Sequence, residues 1–212
     1  MKTLLVIFFT ILSSNIFSQE VNEFLSQGNN LLNQNKPQEA EIVLKKGLEK
    51  YPENLILKSQ VALSQMNQNK NEEAQNTLNE ILKKDSTNIA SLWYSGVNNY
   101  LRKPAKFSEA IKYFEKAYPN IDKNSPQFFA INYFIGDSYK KLLYSEGLSY
   151  DEVSRMLETL KLYTDLQPNA EDYQITKQFI EKIEKNRMPK NVKKWVITTE
   201  QNAEKIIKEN LK

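Results

Sequence analysis

The chain has 212 residues, 40% hydrophobic and 26% charged, with a formal net charge of +3, which is enough for one or two soluble domains with a sizeable core. It has no cysteine and no histidine, which excludes disulfides, thiolate metal sites and a cysteine nucleophile and removes the commonest general base. Five glycines and seven prolines are too few for a turn-dense sandwich or barrel; serine–lysine or paired-carboxylate chemistry stays open in principle, but a protein without catalytic centre, cofactor or metal is expected.

Residues 1–18 read as a signal peptide. Lys2 supplies the positive start, Leu4 to Leu12 form an apolar run, and Ser13 to Ser18 turn polar ahead of a cleavage point before Gln19. The apolar run is about half the roughly 20 residues that span a bilayer. It therefore predicts export, to the periplasm or outside the cell, and not an anchor.

From Gln19 onward the apolar residues recur at helical spacing, and small residues recur at a longer one. Gly28 is followed by Ala40, Leu44, Gly47 and Pro52, and 34 residues further on stand Ala62, Ala74, Leu78 and Ile81. Two antiparallel helices approach closely only where small residues face each other, which gives this spacing a physical cause. Gly96 opens a third unit with Ala110, Phe114 and Ala117, stretched by two residues around Arg102-Lys103-Pro104. A fourth is anchored on Ile135-Gly136 and Tyr139, with a first helix lengthened to about Glu146, Met156 at the usual alanine position, and an end at Pro168.

Helix starts agree with this division. Pro37 suits a first turn, as does Pro126 behind a Ser125 cap, while Asn71 and Ser108 precede acidic first turns. Ser149 and Glu152 have the spacing of a capping box. After Pro168 two further helices are expected, at about Ala170–Asn186 and Val192–Leu211. The β-branched run Val196-Ile197-Thr198-Thr199 weakens the second of these.

This pattern of small, small, large and proline positions at a 34-residue period resembles the tetratricopeptide repeat family. The resemblance implies a right-handed α-α superhelix of about four helix pairs over residues 19–168. Residues 169–212 would form a C-terminal helical extension that caps the last pair. In that family the first helix of each pair lines a concave surface that binds peptides or partner helices. The residues carried over to that surface are Asn29 and Asn33 in the first unit, Asn67 in the second, Trp93 and Tyr100 in the third, and Tyr133, Asp137 and Lys141 in the fourth. Asparagine amides can bond an extended backbone as donor and acceptor, and tryptophan and tyrosine offer large area with few rotors to freeze. No lysine or arginine falls where some relatives clamp a terminal carboxylate.

Charge is uneven along the chain. Residues 177–212 hold ten Lys/Arg against five Asp/Glu, and residues 19–176 hold 18 against 21. A basic, amphipathic final helix could touch an acidic membrane surface, whereas an exported location argues against nucleic acid. The resulting expectation is a non-catalytic scaffold or adaptor of a bacterial cell envelope that binds a protein or peptide in the concave groove. The alternative is a structural protein that self-associates through the ends of the repeat array or through its last helix.

Overall fold

The computed structural model describes residues 19–198, and the expected signal peptide (1–18) and the last part of the expected final helix (199–212) lie outside the described residues. The described residues are helical hairpins in series. They comprise α1 (19–33), α2 (Pro37–Lys50), α3 (Leu55–Asn67), α4 (Asn71–Lys84), α5 (Ile89–Leu101), α6 (Phe107–Ala117), α7 (Pro126–Ser145), α8 (Tyr150–Leu166) and α9 (Tyr173–Lys185). A 3₁₀ turn, Tyr118–Asn120, closes α6 at Pro119. These helices fall into two compact units, one ending at Asn98 and the other beginning at Asn99.

The repeat spacing has the packing consequence expected of it. Ala40, Ala62, Ala74, Ala110 and Met156 are all fully buried. In the first unit a β-carbon added to Gly28 would stand 2.6 Å from Leu44, and in the second a β-carbon on Gly136 would stand 2.6 Å from Leu160. Hydrogen at these positions lets α1 meet α2, and α7 meet α8, at a distance no other residue permits. The large positions fill the remaining space. Leu44, Leu57, Leu78 and Phe114 are fully buried, each contributing on the order of 2–3 kcal/mol of apolar transfer energy.

A buried carboxylate ties the first hairpin to the second. Glu41, 6% exposed, accepts from Lys45 Nζ at 2.6 Å, Gln68 Nε2 at 2.7 Å, Lys70 Nζ at 3.0 Å and Gln65 Nε2 at 3.3 Å. Burial alone would raise its pKa, but the hydrogen bonds from Lys45, Gln68 and Lys70 outweigh burial and bring it down to about 2.

Helix ends follow local chemistry, with some departures from expectation. The capping box forms, Glu152 N donating to Ser149 Oγ at 3.3 Å and Ser149 N to Glu152 Oε2 at 2.7 Å. Helix α7 is lengthened as its spacing predicts and stops at Ser145. Ser125 precedes Pro126 but makes no side-chain cap; its hydroxyl donates to Asp122 O at 2.6 Å instead. Helix α9 starts at Tyr173, three residues later than expected, because residues 168–169 and 171–172 are spent in turns.

The larger departure is at the C-terminus. The segment expected to begin a second capping helix at Val192 is not helical over residues 192–198. It runs back along the α7–α8 turn as an extended strap. Leu148 N donates to Trp195 O at 2.8 Å, Trp195 N to Leu148 O at 2.7 Å, and Ile197 N to Leu143 O at 2.9 Å. Two causes act together. The β-branched run disfavours helix, and Gly147, at φ +78°, turns the Leu148 backbone outward to receive a partner. Trp195 and Ile197 then pack against the core of Leu142, Leu143, Leu148, Val153, Leu160 and Phe179. The strap's approach is anchored as well, with the Arg187 guanidinium 4.1 Å over the Tyr150 ring and bonded to Ser154 Oγ.

Candidate functional site

In the second unit one face of α7 carries Phe129, Tyr133, Asp137 and Lys141 at successive i, i+4 positions, so the four side chains share a stripe. At its N-terminal half lies an open groove of about 480 Å³, lined by Phe129, Tyr133 and Phe134 from α7, Tyr163 from α8, and Glu171 and Asp172 ahead of α9. An adjoining hollow of about 410 Å³ shares Phe129 and adds Lys123, Ser125 and Leu166.

The walls include two tyrosine rings, and carboxylates hold the hydroxyls of one of them, Tyr163, and of Tyr100 beside the groove. Tyr133 and Tyr163 lie with ring centroids 5.1 Å apart. Tyr163 Oη donates to Asp172 Oδ1 at 2.7 Å, and Tyr100 Oη donates to Asp137 Oδ2 at 2.7 Å. Tyr100 also packs edge-on against Phe134 at 5.0 Å, and Phe134 stacks on the buried Phe114 at 5.2 Å. The groove therefore rests on a fixed aromatic base.

These contacts set the protonation of the site. Burial pushes the Tyr100 phenol well above its ordinary value, and the hydrogen bond to Asp137 pushes it further. Burial and then the Asp172 hydrogen bond do the same for Tyr163. Tyr133 is raised by burial and by the Asp137 charge. All three phenols are protonated at neutral pH. They serve as apolar surface and hydrogen-bonding groups, not as activated nucleophiles or bases.

Of the residues expected on a binding surface, the structure brings four together. Tyr100, Tyr133, Asp137 and Lys141 form one cluster, with Lys141 Nζ 4.0 Å from Asp137 Oδ2. Asp137 is only 8% exposed, so it orients Tyr100 and presents little surface of its own. Asn29, Asn33 and Asn67 are exposed on α1 and α3 of the first unit, and Trp93 is half-buried on α5. Among the groups that periodicity did not indicate are Phe129, Tyr163, Glu171 and Asp172. Phe129 sits four residues before Tyr133 and was readable as an extension of the same stripe. Tyr163, Glu171 and Asp172 come from the following helix and the turn after it, where only tertiary structure reveals the neighbourhood. Among the described residues no group of three or more Asp or Glu side chains is placed to hold a metal ion, and no helix is long and apolar enough to cross a membrane.

No protein-family model matches the chain, and comparison with curated proteins gives no match. Solved structures do match in fold. The "MamA RS-1 ArsTM double mutant" superposes with a TM-score of 0.61 at 17% identity, covering 79% of this chain and 85% of that one. A tetratricopeptide repeat protein from Parabacteroides merdae gives 0.59 at 17% identity, over 79% of this chain and 61% of that one. The nearly identical tetratricopeptide-like repeats of a kinesin light chain from Podosopora anserina give 0.57 at 11% identity, over 90% and 92%. The described fold is thus an all-α fold of the tetratricopeptide type.

Proposed function

We propose that this protein is a non-catalytic scaffold that holds an extended segment of a partner protein in the α7 groove, acting in the cell envelope after export. The observation that carries the reading is the groove itself. It is open, walled by Phe129, Tyr133 and Tyr163, and based on the stacked Phe134 and Phe114. Rigid aromatic walls supply contact area without much rotamer entropy to lose. The Tyr163 hydroxyl oxygen and the carboxylates of Glu171 and Asp172 offer acceptors to the amides of a peptide backbone. The absence of histidine and cysteine from the whole sequence and the raised tyrosine pKa values are consistent with binding and offer no activated group for chemistry.

Export rests on the N-terminal pattern alone. Amino-terminal sequencing of the protein from an envelope fraction should start at Gln19, and an intact Met1 start in the cytosol would contradict it. The groove is tested by affinity capture with the chain from Gln19. Tyr133→Ala should lower recovery of the captured partner about tenfold while Trp93→Ala leaves it unchanged. Equal recovery by wild type and Tyr133→Ala, at matched helicity, removes the groove from the account. The self-association alternative gains no support from the strap, because Trp195 and Ile197 are packed on their own chain.

A further inference from the structure

We infer that the groove selects a partner segment carrying a lysine or arginine side chain between apolar residues, a specificity that rests on the binding role just proposed. Its lining carries two carboxylates, Glu171 and Asp172, and no cation. Among the described residues neither carboxylate forms an ion pair, and the only side-chain bond to Asp172 is the Tyr163 hydroxyl on Oδ1. Lysines of this unit are placed outside the lining. Lys141 lies by Asp137, two turns along α7 from Tyr133, Lys123 lines the adjoining hollow, and Lys177 stands over the Tyr173 ring at 5.7 Å.

Each class of occupant meets this lining differently. A purely apolar segment would cover Asp172 and Glu171 without giving them a partner, which is costly. An acidic segment would add like charge to both. A cationic side chain pairs with the carboxylates, and its stem lies along the rings of Tyr133, Tyr163 and Phe129. The faces of those rings, negative through the aromatic quadrupole, attract the cation as well. Arginine gains further from its flat guanidinium, which can stack and bond at once.

The test is to pan a random nonapeptide display library on the full chain and to measure the recovered peptides by fluorescence anisotropy. Peptides that need Tyr133 should carry Lys or Arg at one fixed position with apolar neighbours. Replacing that residue by norleucine should weaken binding about tenfold, and raising salt should weaken the cationic form alone. Asp172→Asn should weaken it about fivefold; the Asp172 side chain makes no helix-cap bond, and an asparagine oxygen there still accepts from the Tyr163 hydroxyl, so the fold is kept. Glu171→Gln, at an exposed position, gives the same test without touching the core. Tyr133-dependent peptides with no cation, indifferent to both substitutions, would overturn the inference and leave the groove standing. If no recovered peptide depends on Tyr133, the groove reading fails too.

Discussion

At neutral pH the Glu41 carboxylate is charged although the residue is only 6% exposed. Its folded pKa of about 2 lies below the ordinary 4.5. A depressed carboxylate contributes stability that is fully present above the unfolded value and is lost as pH falls through the folded one. After discounting for Lys45 and Lys70, which are partly in solvent, that contribution is roughly 2 kcal/mol. Glu41→Gln should lower the urea midpoint at pH 7 accordingly, and its stability should fall less than wild type between pH 4.5 and about 2. Parallel acid limbs for the two proteins would show that Glu41 is not coupled to folding. The neighbouring Ala40 was readable from its 34-residue echo at Ala74, but nothing local distinguishes Glu41. Apart from Lys45 one turn on, its partners lie 24 to 29 residues away along the chain, beyond any periodic pattern. Tyr133 and Asp172 divide in the same way. The first lies on a helix face that periodicity exposes, whereas the second enters the groove only because the turn before α9 folds against Tyr163.

Helices were legible wherever capping chemistry and small-residue spacing agreed. The lengthened α7 and the Ser149–Glu152 box form as their residues require. The strap was not legible, because apolar spacing at 192–207 fits a helix while the decisive features are non-local: a left-handed Gly147 and the pairing of the Leu148 backbone with Trp195. Only the β-branched run hinted at extended structure. The consequence is that the segment after Met188 is part of the second unit's core, since Trp195 and Ile197 cover Leu148, Val153 and their neighbours. Trp195→Ala should cost about 2–3 kcal/mol, less than a fully buried tryptophan because the site is half-exposed, read as a lowered denaturation midpoint by circular dichroism. An unchanged midpoint would mean that the strap does not support the hairpin beneath it. A version ending at Met188 uncovers the same surface, so any association it shows would report exposed core and not a native interface. Arg187 and Lys190 also stack on Tyr150, which removes two of the ten cations of residues 177–212 from a freely exposed basic face.

For the whole molecule, composition did much of the excluding. Without histidine or cysteine the commonest general base and the thiol nucleophile are missing, and the repeat spacing led to a tetratricopeptide-type fold that solved structures share at 11–17% identity. At that identity the fold transfers and the partner does not. The account therefore turns on whether the α7 groove is where a partner lies. Amide hydrogen exchange of the full chain, with and without a bound partner segment, tests this most directly. Protection should rise over residues 126–141 and 170–173, and should vanish in Tyr133→Ala at partner concentrations that saturate the wild type. Protection confined to α1–α4, or to the strap at 189–198, would contradict the account and move the binding surface elsewhere.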